Sequence, residues 1–238
     1  MRAATRIEVG VDGAGATVVR RMRCEVPLLM RIDGVATDGS LALLLVNGAA
    51  GPLGGDELEL VLVVADDARV RVRSVAASLV QPGPAGLRSV TRTVVEVAER
   101  ATLDWELEPT ISVLGSRHGV STVLHAASSA SVTFSDAVQL GRYQEQSGTL
   151  SLRQRVVVGG RAVLDHETDL GPGARSSVGG NGAFRWVQSR VVIADDAPTS
   201  PQTVVDAGSV RGVFPLGPRS AVEIYAGSAR TASSGLMV

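Results

Sequence analysis

Cysteine, lysine and aromatic residues are nearly absent from this chain. Its 238 residues include one cysteine, Cys24, and no lysine, and aromatic residues make up 3% of the total. A single cysteine excludes an internal disulfide framework and a cysteine-rich metal site, and it fits a reducing compartment. A chain of this length buries roughly 70% of its unfolded surface. With so few aromatics, its core must be built mainly from Val, Leu and Ala.

Strong net charge and long apolar runs are also missing. The formal net charge is -1 and no block of like charge occurs, so we expect no nucleic-acid partner. The longest apolar stretches, residues 41–46 and 58–65, are far shorter than the run of about 20 residues that spans a bilayer. Charges at Arg2, Arg6 and Glu8 interrupt the amino-terminal segment, unlike a secretory signal. We therefore expect a cytoplasmic protein without a membrane span.

Short segments that alternate apolar and polar residues predict a mainly β protein. In residues 69–73 valine alternates with arginine, so the valines should face the core. The pair Gly159–Gly160 separates two β-rich runs and predicts a hairpin turn, because both glycines can adopt positive φ. Residues 58–64 are apolar enough to predict a central strand between two layers. Residues 91–105 are rich in β-branched residues and favour a strand, with a helix as the alternative.

Glycine and proline mark the breaks between these segments. Residues 80–89 and 170–182 are predicted to be loops. No fixed-period repeat is visible, which disfavours a regular solenoid. The small and polar residues 226–238 predict a tail that frays. We treat residues 1–238 as a single domain.

The patterns of common catalytic sites are absent. There is no Gly-x-Ser-x-Gly elbow, and the glycine-rich residues 47–56 lack the lysine of a phosphate-binding loop and precede a strand. A turn is therefore the favoured interpretation of that segment. The three histidines, His118, His125 and His166, lie in separate segments and form no metal-ligand pair. We assign no catalytic residue and expect no tightly bound cofactor.

Carboxylates remain as candidates for weak metal contact, although each is more often part of a solvated face or a turn cap. Trp105 could be a carbohydrate-stacking platform or core filling, and the scarcity of nearby aromatics favours core filling. Cys24 is interpreted as an inert core residue because no histidine is close to it in sequence. The candidate carboxylates are Asp56, Glu106, Glu108, Asp136 and Glu145.

Two segments in the first half of the chain carry a more specific pattern. Residues 47–56 end in a Gly-Gly-Asp turn that includes Gly54 and Gly55, and an apolar run follows. About fifty residues later, residues 105–111 place a tryptophan shortly before Pro109. Either segment alone would be a weak signal, and their order and spacing make the pattern more specific.

Two further segments follow in the second half. Residues 136–145 contain the pair Gly141–Arg142 with a glutamate shortly after, and residues 165–170 end a predicted hairpin. Taken together over residues 5–225, the four segments resemble the UreD (UreH) family of urease accessory proteins. One departure is that Gln146–Ser147 stand where a common form of the family motif has Gly-Glu.

The resemblance implies both a fold and a function. Members of this family are mainly β, with many short strands in a two-layer, β-helix-like or sandwich arrangement and one or two short helices. They are non-enzymatic scaffolds that bind urease apoprotein and UreF, and through UreF the GTPase UreG. The assembly promotes nickel insertion and urease maturation. A water-filled passage through the protein is the route proposed for nickel in the family.

The resemblance also implies roles for residues of the matching segments. Asp56 and Glu145 are the candidates for a transient nickel path, with no tight metal site, and Arg142 is expected to organise an ion pair. The other motif residues are expected to be structural: Gly54, Gly55, Trp105, Pro109 and Gly141.

Two alternatives remain open on the sequence. A carbohydrate-binding β-solenoid-like module would need a groove with stacked aromatics or paired carboxylates, and the scarce aromatics argue against it. A purely structural β module without a metal role would tolerate loss of Asp56 and Glu145. The scaffold hypothesis predicts exposed apolar surface for partners.

Overall fold

Strands make up most of the regular structure in the computed structural model, which describes residues 1–176 and 181–230. In chain order they are β1 Arg2–Val11, β2 Thr17–Arg23, β3 Leu28–Val35, β4 Leu41–Asn47, β5 Glu57–Val64, β6 Arg69–Ser74, β7 Ser78–Val80, β8 Ser89–Val97, β9 Thr102–Glu106, β10 Thr110–Ser112, β11 Arg117–Ala126, β12 Ser131–Leu140, β13 Thr149–Val158, β14 Arg161–Leu170, β15 Trp186–Ile193, β16 Gln202–Asp206, β17 Ser209–Gly217 and β18 Ser220–Gly227.

Helical structure in the described ranges is limited to two three-residue turns of 3-10 helix, Pro84–Gly86 and Pro172–Ala174. Both lie in segments predicted to be loops, and they are all that corresponds to the expected short helices. Neither has the length or apolarity that a membrane crossing requires, and no other helix occurs in the described part of the chain. The prediction of a mainly β fold is confirmed.

The strands form two sheets. Sheet A has seven strands in the order β14-β13-β11-β8-β5-β1-β2. Sheet B has eleven, with the main order β16-β17-β18-β15-β12-β9-β6-β4-β3 and the short strands β7 and β10 beside the end of β12. Inward side chains of the two sheets form one main hydrophobic core.

The middle of the molecule is a stack of coils, each of which gives one strand to sheet A and then one to sheet B. Leu58, Thr91, Val120 and Leu152 are register neighbours in sheet A, so successive coils advance by 33, 29 and 32 residues. A regular solenoid was disfavoured because the sequence shows no repeat of fixed period, but coils of unequal length stack in this structure. The unequal advance explains why no repeat is visible in the sequence.

A ladder of inward side chains crosses sheet B and fills the core. Trp105 and Phe134 occupy neighbouring rungs and stack with ring centroids 5.2 Å apart and an interplanar angle of 16°. Trp105 is 1% exposed, which confirms the interpretation of this residue as core filling. Its aromatic partner lies one coil away and is therefore distant in sequence. The ladder consists of Leu43, Val72, Trp105, Phe134, Val191 and Val222.

Two local predictions from residue patterns are confirmed. Val70 and Val72 are 1% and 0% exposed, whereas Arg69 is exposed, so the valines face the core as the alternation indicates. Gly159 and Gly160 join β13 to β14 with φ of 54° and 80°, the positive values expected for a two-residue hairpin.

The prediction for residues 58–64 is only partly right. Strand β5 is central in sheet A, between β1 and β8. Its inward residues Leu58, Leu60 and Leu62 are buried, but Val61 and Val63 on the other face are only half-buried. Burial of both faces was therefore wrong, because half-buried β-branched residues are stable on the outer face of a sheet when they pack against neighbouring strands.

Residues 91–105 are extended, as favoured over a helix, but they belong to two strands. Strand β8 ends at Val97 in sheet A, and β9 begins at Thr102 in sheet B. A turn separates them, in which Ala101 donates its backbone N–H to the carbonyl of Ala98 at 3.3 Å. The long β-branched run thus crosses from one layer to the other.

The predicted tail lies partly outside the described residues. Ala226 and Gly227 are the last residues of β18. Residues 231–238 are not among those the structure describes, and neither are residues 177–180 of the predicted loop 170–182. Fraying of the tail and the single-domain organisation stay predictions.

The turn at Gly54 is in close contact with the next coil. A Cβ at Gly54 would lie 2.6 Å from the backbone nitrogen and 2.9 Å from the Cα of Gly83 in the next coil. Neither backbone atom can move without shifting a coil, so we predict that Gly54→Ala lowers the free energy of unfolding by about 3 kcal/mol. Denaturant unfolding followed by circular dichroism measures the change.

The matched control is Gly13→Ala, since nothing lies within 4 Å of a Cβ at Gly13. This control should stay within about 0.5 kcal/mol of the unsubstituted chain. Equal stability of the two variants would contradict the close approach of the coils.

Candidate functional site

An interior cavity of about 80 Å³ lies between the two sheets. Polar side chains from both sheets line it together with aliphatic ones, among them Leu45, Leu58 and Leu60. Gly51 and Pro52, from the turn before β5, also contribute to its wall. The polar and ionisable lining residues are Asn47, Ser74, Ser78, Thr91, Thr93, Glu108, Thr110, His118, Ser135 and Asp136.

The polar lining continues along one inward row of sheet A. Thr93, Thr122 and Gln154 are register neighbours on β8, β11 and β13, and Thr122 and Gln154 are 3% and 1% exposed. Two residues further along β8, the inward residue is Val95, which belongs to the aliphatic core. Polar and aliphatic rows therefore lie side by side in the same sheet.

Asp136 on β12 meets this polar row from the opposite sheet. Thr122 Oγ1 and Gln154 Nε2 donate to Asp136 Oδ2 at 2.9 and 3.1 Å. The amide oxygen of Gln154 in turn accepts from Ser189 Oγ at 2.7 Å. Four side chains from two sheets are thus joined in one hydrogen-bonded network.

The carboxylate of Asp136 has no cationic side chain within ion-pair distance in the part of the chain described. Burial raises the pKa of Asp136 above its ordinary value, and the hydrogen bonds from Gln154 and Thr122 oppose that rise. A buried carboxyl group without a counter-ion either carries a proton or attracts a cation. Asp136 is therefore the strongest candidate for contact with a passing cation.

His118 lies in the sheet A wall of the same cavity. Its Nδ1 is 2.8 Å from Ser89 Oγ, and the residue is 3% exposed. Burial, together with the charge of Arg88, lowers the pKa of His118 to about 4. The imidazole is therefore neutral near pH 7, which is the form that can bind a metal ion.

A tight metal site is not formed by these groups. No three His, Cys, Asp or Glu side chains come close enough to hold one ion among the residues that the structure describes. One carboxylate and one imidazole in a polar cavity can make only weak contacts with a cation, because too few ligands converge. The arrangement suits brief contact with an ion and its water.

Asp56 lies in the turn before β5 and is 5% exposed. Its Oδ1 accepts from the amino group of Met1 at 2.8 Å, and its Oδ2 accepts from the backbone N–H of Leu53 at 2.9 Å. Both oxygens are thus engaged in holding the turn. Gly55 lies in the same turn with a positive φ of 95°, a backbone conformation that favours glycine.

Arg142 and Glu145 form a closed pair in the turn between β12 and β13. The backbone N–H and Nε of Arg142 donate to Oε2 of Glu145 at 3.0 and 2.9 Å, and Nη2 donates to Oε1 at 2.8 Å. These bonds lower the pKa of Glu145 to about 2. Glu145 is therefore ionised and paired with Arg142.

The other motif residues maintain the backbone around these turns. Gly141 has φ of 78°, and a Cβ there would lie 3.0 Å from Nη2 of Arg185. That guanidinium donates to the carbonyl oxygens of Arg142 and Glu145 at 2.6 and 2.9 Å. Pro109 is buried, and its carbonyl accepts from the N–H of Ser78 at 3.0 Å.

A larger cleft of about 510 Å³ lies along sheet B. Tyr225 is the one aromatic residue in its described lining, so stacked aromatics of a carbohydrate groove are not found there. Glu106 and Glu108 approach Arg230 at 3.8 and 3.0 Å, so both candidate carboxylates are near a guanidinium. The lining includes charged residues of both signs: Arg73, Asp104, Glu106, Arg190, Asp206, Arg211, Glu223 and Arg230.

Sequence reasoning named Asp136 among five carboxylates but did not select it. A usable signal was present, because Asp136 follows Phe134 by two residues in a strand and so shares its inward face. The contributions of Thr122, Gln154 and Ser189 had no such signal. Their meeting depends on the register between coils of unequal length.

Comparison with known proteins matches this chain over its whole length. The family model described as UreD urease accessory protein matches residues 1–238. A protein of Streptomyces avermitilis named urease accessory protein UreD is 34% identical over 225 residues, covering 93% of this chain and 89% of that protein. A protein of Streptomyces coelicolor with the same name is 36% identical over 235 residues, covering 95% of this chain and 90% of that protein.

The lowered pKa of His118 predicts that acid destabilises the fold. Its pKa falls from 6.5 to about 4 on folding, so the unfolded chain binds one more proton in that window. The stability that depends on neutral His118 is complete above pH 6.5 and is lost as the pH falls toward 4, by roughly 3 kcal/mol. In His118→Asn, we expect a smaller loss of unfolding free energy between pH 7 and pH 4, measured by urea unfolding at each pH.

The control is His125→Asn, because His125 is exposed on the same strand. Its loss of stability over the same pH range should match that of the unsubstituted chain. A loss in His118→Asn as large as in the unsubstituted chain would show that His118 does not carry the effect.

Proposed function

This chain belongs to the UreD family of urease accessory proteins, and we propose that it is a non-enzymatic metallochaperone scaffold that passes nickel ions to apo-urease. Membership of the family supports a role in urease maturation. The finer parts of the proposal are the passage of nickel through the chain, its assembly with UreF and UreG, and a cytoplasmic location.

The observation that carries the nickel proposal is the carboxyl group of Asp136, which lines the cavity and has no counter-ion among the residues described. Oxygen and imidazole ligands suit Ni²⁺, and affinity rises with the number of ligands that converge. A carrier must release its ion, so one carboxylate and one neutral histidine serve better than a closed ligand set. A cavity of about 80 Å³ also has room for a few waters that can accompany the ion.

Asp56 and Glu145 stay predictions as parts of the nickel path. The turn of Asp56 also supplies Gly51 and Pro52 to the wall of the cavity. Each carboxylate is bonded on both oxygens, so either would have to exchange a present partner for the ion. Within the proposal they act at the end of the path, and Asp136 acts inside it.

The proposed partners are urease apoprotein and UreF, with UreG recruited through UreF. What supports partner binding is the number of large apolar side chains left exposed, among them Val35 at 71% and Tyr143 at 88%. Exposed apolar surface of this kind marks protein interfaces. Neither nucleic acid nor a membrane is part of the proposal.

The decisive variant is Asp136→Asn in cells that carry the cognate urease genes. The amide keeps an oxygen for Thr122 and Gln154 and removes the charge, so the fold should be retained while cation contact is lost. We expect nickel-dependent urease activity to fall at least several-fold, with UreF still copurifying. Asp33→Asn is the matched control, because Asp33 is exposed on the edge strand β3, and its activity should be unchanged.

Deletion of the whole chain, compared with Asp136→Asn, separates the maturation role from the nickel path. Full urease activity without the chain would make the maturation role wrong. Loss on deletion combined with full activity of Asp136→Asn would leave a scaffold without an internal nickel path. Asp56→Ala and Glu145→Gln in the same series test the two carboxylates of the matching motifs.

A further inference from the structure

Four turns that lead from sheet B back to sheet A are stacked along one edge of the molecule, and the start of the connection from β14 to β15 continues the stack. We call this set the turn edge, and it comprises residues 51–56, 81–88, 113–116, 141–148 and 171–175. Gly54 donates its N–H to the carbonyl of Gln81 at 3.1 Å, and a Cβ at Gly115 would lie 3.8 Å from the Cβ of Pro82. The first three turns are therefore in direct contact.

The remaining two turns continue the stack. Gly148 donates its N–H to the carbonyl of Ser112 at 3.4 Å, and a Cβ at Gly148 would lie 2.6 Å from the carbonyl oxygen of Val113. A Cβ at Gly171 would lie 3.4 Å from the carbonyl carbon of Gly148. The turn edge is thus one continuous surface built from five segments of the chain.

Four successive turns of this edge each expose one large apolar side chain. Leu53, Leu87 and Leu114 are 42%, 56% and 53% exposed, and Tyr143 is 88% exposed. Leu87 lies over the first turn, since a Cβ at Gly55 would be 3.4 Å from its Cδ1. Apolar side chains aligned in this way are typical of an interaction surface, and an exposed tyrosine is a frequent anchor in one.

Two of these turns and the start of β11 carry cations that lack carboxylate partners among the described residues. Arg88, Arg117 and Arg175 are exposed, and no ion pair involves them in the described ranges. Arg88 donates to Ser151 Oγ, and Arg117 donates to the carbonyl of Gly86 at 3.4 Å. Arg88 and Arg117 also line a groove of about 400 Å³ that reaches the fifth turn at Gly173 and Ala174.

Acidic groups at the edge do not balance these cations. Asp56 and Glu145 are already paired, with Met1 and Arg142. Asp169 is exposed and lines the same groove as Arg88 and Arg117. The edge therefore combines apolar side chains with an excess of positive charge.

We propose that the turn edge is a docking surface for an acidic segment of a partner polypeptide, whose carboxylates pair with Arg88, Arg117 and Arg175 while its apolar side chains cover the leucines. A guanidinium group binds a carboxylate through two parallel hydrogen bonds, which fixes the orientation of the segment. A segment in this position would lie beside the end of the cavity, because His118 lines both the cavity and the groove.

The surface itself is argued from the structure, and the identity of its partner as a urease maturation protein rests on the proposed function. The probes are purified cognate UreF and purified apo-urease, each tested for binding to the full chain by surface plasmon resonance. Two double variants test the surface: Arg117→Glu with Arg175→Glu, and Leu114→Ser with Tyr143→Ser. We expect both to weaken binding of one of the two proteins at least tenfold, and the intact chain to bind that protein more weakly as salt increases.

The matched controls make the same types of substitution outside the turn edge. Arg21→Glu with Arg92→Glu reverses two exposed charges on sheet A, and Val205→Ser removes an exposed apolar side chain from β16. Each should bind within twofold of the intact chain. Thermal unfolding of every variant shows whether its fold is retained.

The outcomes separate this inference from the proposed function. Folded turn-edge variants that bind UreF and apo-urease as the intact chain does would overturn the docking surface and leave the proposed function standing. An intact chain that binds neither protein would overturn both. Equal loss of binding in the controls would also overturn the docking surface, because charge or apolarity anywhere on the chain would then suffice.

Discussion

The parallel register of successive coils is the constraint on which the rest of this structure depends. Because each coil adds its strand beside the previous one, residues at one level of every coil meet in the interior. One level of sheet A is aliphatic, with Leu62, Val95 and Leu124 as neighbours. The next level contains Thr93 and Thr122 and continues to Gln154. The boundary between the aliphatic core and the buried polar network is therefore a boundary between two levels of the stack.

Stacking also explains why the family motifs are rich in glycine. Turns of adjacent coils approach so closely that Gly54 and Gly83 leave no room for a Cβ on either side. Arg142 and Glu145 close another of these turns by pairing with each other. The most recognisable residues of the sequence thus maintain the edge of the fold, and the hydrogen-bonded network of Asp136 lies further inside.

Local patterns in the sequence predicted those features of the fold that depend only on residues adjacent in the chain. The alternation at Val70 and Val72 and the hairpin at Gly159–Gly160 need only the geometry of one strand or one turn. The partners of Asp136 could not be predicted, because Thr122 and Gln154 reach it only through the register of coils whose lengths differ. The family resemblance pointed to Asp56 and Glu145, because a motif consists of residues that are adjacent in sequence. The cavity is instead lined by residues from several coils, which are distant in sequence.

Gln154 gives the interior a property that the core alone would lack. Its side chain begins on sheet A and is held at both ends of its amide by groups of sheet B, Asp136 and Ser189. The amide therefore works as a spacer of fixed length between the two layers. Hydrophobic packing on the neighbouring level is not directional, whereas these hydrogen bonds depend on both distance and angle. The two sheets are consequently aligned with each other at this level as well as pressed together.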